Sequence, residues 1–386
     1  MSPAPQNSSS RPLRVLIVAG EVSGDMHASV LMRAMRGQHA GPIEFRGVGG
    51  DTMAAEGAQI LFHTDRTAVV GLWDVLRNIR FFTHMMRVMV RELETWKPDL
   101  VLTVDYPGFN MRFAKRAHAR GFKTAHYICP KVWAWNQARI PKMARDLDHL
   151  ITIFPFETAC FEGTGLRVTF AGNPLVDRTR ETFAEPETPL PWHGQHHIAL
   201  LPGSRTREIT GIFPDMLAAA VLLEKELAGD CSFLVPTATA AMRQLAEAVA
   251  AQSPCRPARL IFVDGQARQT LRQAHVAAVA SGTATLEACL MRCPTALVYR
   301  SPGLNLALRF AHIRYLGLAN IIAGRTVMPE LLQQHFTPAA LAARLKRYLT
   351  DPAERAKVLA DYDAVATALG SGDSAARAAK AVLATL

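Results

Sequence analysis

The sequence predicts an α/β protein of two domains, each a doubly wound parallel sheet, with a cleft between facing carboxyl edges. Three observations predict it. Short apolar runs alternate with segments of helical period along the whole chain. The runs are nearly continuous in aliphatic and β-branched residues, as strands buried on both faces require. A proline-rich stretch without period divides the alternation into two comparable halves, and 386 residues are too many for one ordinary core.

The first run, Leu13 to Ala19, opens the first domain behind a polar, Ser- and Pro-rich tail over residues 1–11 that is expected to be disordered. "IEFRGVG" (43–49), "DLVLTVD" (99–105), "KTAHYIC" (123–129), "HLITIFP" (149–155) and "RVTFAG" (167–172) continue it, with a helix read over 109–120. This domain is expected to span 12–176. Residues 177–197 lose periodicity and hold Pro186, Pro189 and Pro191, so they read as a linker. The alternation restarts with "HIALLPG" (197–203), "CSFLVPT" (231–237), "RLIFVDG" (259–265), "AHVAAVASG" (274–282) and "PTALVYR" (294–300). That second domain is expected over 198–365, followed by a C-terminal helix in 366–386 that packs back on the first.

Composition narrows the function. A formal charge of +10 suits an anionic partner, either phosphates or an acidic membrane face. The basic residues are spread out rather than interleaved with stacking aromatics, which argues against nucleic acid. No apolar stretch is long enough to span a bilayer, and the N-terminus lacks the basic region and cleavage site of a signal peptide. Six cysteines without a CxxC pair fit a reduced cytoplasm.

Chemistry concentrates where strands end. "AGEVSGD" (19–25) places Glu21, Ser23 and Asp25 beyond the first strand, where open α/β sheets bind ligands; Ser23 or Asp25 as a helix cap is the alternative. "VDYPGFN" places Asp105 at a buried strand's carboxyl end, with Asn110 just beyond. A carboxylate there is either a general base or the organiser of a turn. "YICPKVWAWNQARI" sets Trp133 and Trp135 beside Lys131 and Arg139, a surface for a sugar or an acyl chain. In the second half, "LLPGSRTREI" offers Ser204 and Arg205, and "ASGTATLEACL" offers Ser281, Gly282 and Thr283 at a helix start. Together they suit a diphosphate, and Glu287 one turn on suits a ribose diol. Metal binding is not expected. "DLD" (146–148) falls where a helix meets a strand, and His193, His196 and His197 lack carboxylates nearby in sequence. "GVGG" is not a full dinucleotide fingerprint, and no phosphate-loop motif occurs.

Taken in order, "AGEVSGDMHAS", "GVGGDTM", "PDLVLTVDYPGFN", "YICPKVWAW", "FPFE", "FAGNPLVD", "LLPGSRTREI", "SGTATLEACL" and "NIIAGRTVMPELLQ" make the chain resemble the lipid-A-disaccharide synthase family of inverting glycosyltransferases. The resemblance covers almost the whole chain. It implies the GT-B fold of two Rossmann-like domains. It also implies transfer of 2,3-diacylglucosamine from its UDP donor to 2,3-diacylglucosamine 1-phosphate without a cofactor. Glu21, Ser23 and Asp25 would then line the acceptor side, Asp105 would be the base, and Asn110, Trp133, Asn320 and Arg325 would join Arg205 and Glu287 in holding substrates. Two positions depart from the family: Cys129 stands where Ser is usual, and Asn173 where His is usual. Related UDP-sugar enzymes, a muramyl-pathway transferase or a UDP-sugar epimerase, share the second-half logic but not "PKVWAW". A non-catalytic nucleotide-sugar sensor would need no Asp105.

Substrates of that kind live in a bilayer, and the sequence offers a contact. Residues 71–96 have helical period with more large apolar groups than one core stripe needs, among them Leu72, Trp73, Val75, Leu76 and Ile79, with arginines interleaved. Peripheral attachment to the anionic cytoplasmic face of the inner membrane is the expectation, and a homodimer is allowed.

Overall fold

The structure, a computed structural model, describes residues 11–67, 78–134, 136–304 and 314–386. Contacts divide the chain into two units, Met1–Pro174 with Asp373–Leu386, and Leu175–Gly372. Both are α/β, and every strand pairing is parallel.

The first unit holds β1 (Leu13–Ala19), β2 (Ile43–Gly49), β3 (Gln59–His63), β4 (Leu100–Val104), β5 (Lys123–Tyr127), β6 (His149–Thr152) and β7 (Arg167–Phe170). They lie in the order β3-β2-β1-β4-β5-β6-β7. The order reverses between β1 and β4, so two crossovers leave on opposite sides there and open a crevice at the carboxyl edge. Residues of β1 alternate between the two faces. Val15, Ile17 and Ala19 pack with Leu31, Met32 and Met35 of the helix Val22–Gln38. Leu16 and Val18 pack with Met85, Met89 and Leu93 of the helix Ile79–Thr95, and with Phe109 and Phe113 of the helix Pro107–His118.

The second unit holds β8 (His196–Leu201), β9 (Cys231–Thr237), β10 (Leu260–Asp264), β11 (Val276–Ala280), β12 (Thr295–Tyr299) and β13 (Glu330–Leu332), ordered β10-β9-β8-β11-β12-β13. Its order reverses between β8 and β11, the same device used again.

Two expectations need correction. β3 and β13 were not read from the sequence; both are short edge strands of half-buried residues, without the continuous apolar run that marks their neighbours. The stretch expected as a linker begins inside a helix, Pro174–Ala184, which buries Val176, Thr179 and Thr182 although it is mostly polar.

The final helix, Ser374–Leu383, packs against Val22–Gln38 in the first unit. Ala378, Ala379 and Val382 are fully buried in the cluster that holds Val15 and Ile17. Gln38 Nε2 donates to the Ala376 carbonyl at 2.7 Å, and Arg377 Nε donates to the Ala171 carbonyl at 2.8 Å. The last turn is therefore part of the first unit's core. Val382→Asp places an unpaired charge there and is expected to cost about 3–5 kcal/mol. Urea unfolding of the full chain checks it: an unchanged midpoint would mean the helix is dispensable.

Candidate active site

At the carboxyl edge of the first sheet, three segments are tied together by one ring. Gly20 follows β1, and a Cβ placed on it would run into the Tyr106 ring, so the strand end must be glycine for the ring to lie on the backbone. Tyr106 Oη donates to the Thr67 carbonyl at 3.0 Å, and Thr67 Oγ1 donates to the Gly20 carbonyl at 2.7 Å. Burial, reinforced by the Glu21 charge, pushes the Tyr106 phenol up to about 12, so it stays a hydrogen-bond donor at neutral pH.

Asp105 and Tyr106 both adopt left-handed backbone, with φ of 48° and 49°. Consecutive non-glycine residues there are strained, and such strain persists only where the surroundings enforce it. Here the Asp105 N–H donates to the Tyr127 carbonyl at 2.9 Å, and Asn110 Nδ2 reaches the carbonyls of Asp105 (2.7 Å), Val104 (3.1 Å) and Val18 (3.2 Å). The turn thereby aims the Asp105 carboxyl off the end of β4.

Electrostatics sets that carboxyl apart. Burial raises its pKa above the ordinary aspartate value, while the Tyr106 amide and the Lys131 ammonium pull the other way. Glu21, which begins the helix Val22–Gln38, is also raised, by burial and then by the Asp105 charge. The Asp105 charge thus opposes ionisation of Glu21 on the neighbouring strand end, and burial raises both carboxyls above their ordinary values.

Of the expected residues, the structure brings Glu21, Ser23 and Asp105 to this edge, with Ser23 exposed in the helix's first turn. Asp25 and Asn110 are corrected. Asp25 is buried, and its oxygens accept from the Gly50 amide (2.6 Å), the Thr52 amide (3.0 Å) and hydroxyl (2.6 Å), and the Met53 amide (3.1 Å). It caps the helix Asp51–Ala55 from a neighbouring element, and Gly50 leaves the room, since a Cβ there would lie 2.8 Å from Asp25 Oδ2. Asn110 is fully buried, with its Nδ2 committed to the carbonyls of Val18, Val104 and Asp105.

Trp133 is half-buried, its ring edge-on to Phe156 at 5.1 Å, with Phe154 stacked on Phe156 at 5.5 Å. Trp135 lies outside the described residues, as do Leu72, Trp73, Val75 and Leu76; Ile79 is half exposed. The departures Cys129 and Asn173 are both buried: the Cys129 thiol points at the Pro130 carbonyl (3.2 Å), and Asn173 Nδ2 donates to Ile153 (3.2 Å).

In the second sheet, Leu201 of β8 pairs with Val279 of β11, so the loops that follow them are neighbours. Glu208 organises the first loop. Its Oε2 accepts from the Ser204 amide at 3.0 Å, and its Oε1 accepts from Arg205 Nη1 at 2.9 Å, leaving the Arg205 side chain 77% exposed. In the second loop the Ser281 amide is committed to the Val298 carbonyl at 3.1 Å. That leaves Gly282 and Thr283 to present their amides at the start of the helix Thr283–Leu290. Glu287 sits one turn on, half-buried and raised by burial against the charges of Arg268 and Arg178.

Asn320 and Arg325 are corrected too. Asn320 is fully buried and its amide is consumed: Nδ2 donates to the Met328 carbonyl (2.7 Å) and to Glu330 (2.8 Å), and Oδ1 accepts the amides of Val327 and Met328, each at 2.8 Å. Arg325 forms a bidentate pair with the largely buried Asp361 at 2.6 and 3.0 Å, while its own side chain is 55% exposed. Among the described residues no group of three or more His, Cys, Asp or Glu stands close enough to hold a metal ion.

Comparisons with known proteins meet this geometry. A family model described as Lipid-A-disaccharide synthetase matches residues 15–384. The lipid-A-disaccharide synthase of Aromatoleum aromaticum is 38% identical over 383 residues, covering 96% of this chain and 95% of that protein. The Pseudomonas aeruginosa PAO1 protein of the same name is 37% identical over 377 residues, covering 96% and 97%. Among solved structures, UDP-GlcNAc 2-epimerase from Neisseria meningitidis bound to UDP-GlcNAc superposes with a TM-score of 0.62 at 12% identity, covering 97% and 99%. MurG of Acinetobacter baumannii gives 0.58 at 14%, covering 97% and 100%. At those identities the structures share the fold with this chain.

Sequence reasoning passed over Glu157, the last residue of "FPFE". It is 1% exposed, and its Oε2 accepts the amides of Phe154 (3.1 Å) and Ile153 (3.3 Å). Burial nonetheless pushes its pKa up to about 8, against an ordinary 4.5. The folded state therefore holds a proton that the unfolded chain releases near 4.5, so this group's stabilisation is complete below 4.5 and lost as pH rises through about 8. Within that window Glu157→Gln is expected to remove a slope of up to about 1.4 kcal/mol per pH unit. Urea midpoints on both sides of the window test this: a parallel pH profile in the variant would show the carboxyl ionised throughout.

Proposed function

The chain belongs to the lipid-A-disaccharide synthase family, and on that premise we propose how its two sheet edges divide the work. The chain is an inverting hexosyltransferase of lipid A synthesis. It carries 2,3-diacylglucosamine from UDP to the 6-hydroxyl of 2,3-diacylglucosamine 1-phosphate, giving the β-1,6 disaccharide and UDP.

In our reading Asp105 is the general base. The acceptor 6-hydroxyl attacks the donor's anomeric carbon opposite the UDP oxygen; the new C–O bond forms as the old one breaks, and the hydroxyl proton passes to Asp105. What supports this is the paired left-handed backbone at Asp105 and Tyr106, which holds a carboxyl of raised pKa at the β1/β4 crevice. Burial keeps that carboxyl basic, and the Tyr106 amide and Lys131 limit the effect. Ser23, exposed beside them, contacts the acceptor sugar, and Trp133 gives the sugar or its chain an apolar surface.

The second unit's edge takes the UDP. Arg205 and the amides of Gly282 and Thr283 meet the diphosphate as it gains charge, and Glu287 accepts from the ribose hydroxyls. Fixed positive charge from the guanidinium and the helix start serves where other transferases use a metal.

Loss of the base predicts a clear separation. Asp105→Asn should lower turnover about 10²–10⁴-fold while UDP affinity stays near that of the parent, because an amide of the same shape takes no proton. UDP release in the presence of both lipids, beside UDP titration, measures this; near-parental turnover removes Asp105 from the mechanism.

We also propose peripheral attachment to an anionic membrane. Supporting it are the charge of +10, the exposed Ile79 and Arg80, and the apolar, arginine-bearing sequence before them. Among the described residues no helix is long and apolar enough to cross a membrane. Replacing Leu72, Trp73 and Leu76 with Ser should release the chain from anionic vesicles at an unchanged melting temperature. Co-sedimentation with full retention would refute the contact, and a collapsed melting temperature would make these residues core.

A further inference from the structure

A groove of about 640 Å³ runs along the first unit between the helices Ile79–Thr95 and Pro107–His118. Each helix leads from the sheet's carboxyl edge back toward the start of a parallel strand, and both pack on the same face of that sheet. The groove therefore begins at Tyr106, next to Asp105, and descends away from it.

Its chemistry is divided. Phe82, Met86, Val90 and Phe109 form an apolar floor. On the rim stand Arg87, Arg112 and Arg116, all exposed. Among the described residues no carboxylate pairs with these three, whereas Arg120 at the far end pairs with Glu94 at 3.8 Å. The Arg116 guanidinium only folds back on the Arg112 carbonyl at 2.9 Å. Unpaired like charges beside an apolar trough are complementary to a molecule with a chain and an anionic head. From Ile79 to Val90 the trough is ~16 Å long by the helical rise, close to the ~15 Å of hydrocarbon in one bilayer leaflet. At Gly108 the wall is open, since a Cβ there would meet nothing within 4 Å.

We propose that this groove holds one acyl chain of the lipid acceptor, with its methylenes on Phe82, Met86 and Val90 and its phosphate on Arg87 and Arg112. The identity of the lipid rests on the function proposed above; the groove's preference for a single anionic amphiphile does not. Chain-length selectivity then resides in the first unit, in the run of the groove from Tyr106 to Arg120. The sugar hydroxyl is presented to Asp105 by a chain lying below it.

The test is binding, independent of turnover. The full chain is titrated with dodecyl phosphate, butyl phosphate and uncharged dodecyl maltoside, each below its micelle concentration, and its melting is followed in parallel. Dodecyl phosphate should bind at least about ten-fold tighter than either other probe, since both a long chain and an anion are needed. Met86→Trp, which fills the trough, should abolish the preference for the long chain. Thr83→Trp, on the exposed lip, does the same job should the first variant melt early. Arg87→Gln with Arg112→Gln should abolish the preference for phosphate over maltoside. Equal affinity for all three probes, or unchanged affinities in the filled variants, overturns the proposal. So does binding seen only with phospholipid vesicles, which makes the face a membrane contact, or loss of a dimer in Met86→Trp, which makes it a seat for a second copy. A chain that binds dodecyl phosphate in this way yet releases no UDP from the two lipids would refute the proposed function and leave the groove standing.

Discussion

The contact on which the first sheet edge depends is a tyrosine ring lying flat on a strand end. Tyr106 occupies the space a side chain at Gly20 would need, and its hydroxyl and Thr67 close a circuit back to the Gly20 carbonyl. With the ring gone, only the hydrogen bonds from Asn110 and to the Tyr127 carbonyl would hold residues 105 and 106 in left-handed backbone. The strain there is small beside the cooperative hydrogen bonding from Asn110 and Tyr127 that enforces it. Position and acidity follow together: the same packing that aims Asp105 also removes water from it, and desolvation is the largest cause of its raised pKa.

The second edge solves a different problem with similar parts. A general base must be desolvated and held singly, whereas a diphosphate needs several donors in parallel. Glu208 accordingly neutralises part of Arg205 and fixes the loop's backbone through Ser204, leaving a guanidinium that is oriented yet open to solvent. Glu208 is buried but the Arg205 guanidinium it pairs with is open to solvent, which screens the pair, so orientation is the better account of why it is there. Both edges sit at the point where strand order reverses, and that topology is what frees the backbone groups at 20–23 and 202–205 from any crossover.

Most of the fold could be read from the chain because buried parallel strands are written in one-sided language: their central residues are mostly aliphatic or β-branched, so little periodicity has to be judged. Eleven of the thirteen strands carry such runs, and the two that do not, β3 and β13, lie at sheet edges where one side needs no cover. The sites were less legible. Asp25, Asn110 and Asn320 stand in motifs of the same small, polar character as those of Asp105 and Arg205, and composition alone makes all five look like ligand contacts. Asp25 and Asn320 spend their polar atoms mainly on the backbone of a neighbouring segment, and Asn110 spends its Nδ2 on the carbonyls of Val18, Val104 and Asp105. Sequence adjacency cannot reveal this, because their partners at 50–53 and 327–330 come from a neighbouring strand end or a later turn.

Buried polar residues of this sort separate holding from acting by a simple count. An asparagine amide has two donors and an oxygen, and in Asn320 both ends are occupied, so no capacity is left for a substrate. Asp25 accepts four hydrogen bonds, which saturates a carboxylate and leaves no lone pair for a proton in flight. Asp105 is different: its backbone N–H and C=O are both engaged, yet its carboxyl is raised by burial, with a lysine nearby that eases its ionisation. Full satisfaction suits a residue that makes the site rigid, and a fixed backbone under a carboxyl with spare capacity suits the base proposed at Asp105. By the same count Glu157, held by two amides but denied water, is a hinge of stability rather than of chemistry. The motif residues that look alike in sequence thus divide by how many of their hydrogen bonds the fold has already used.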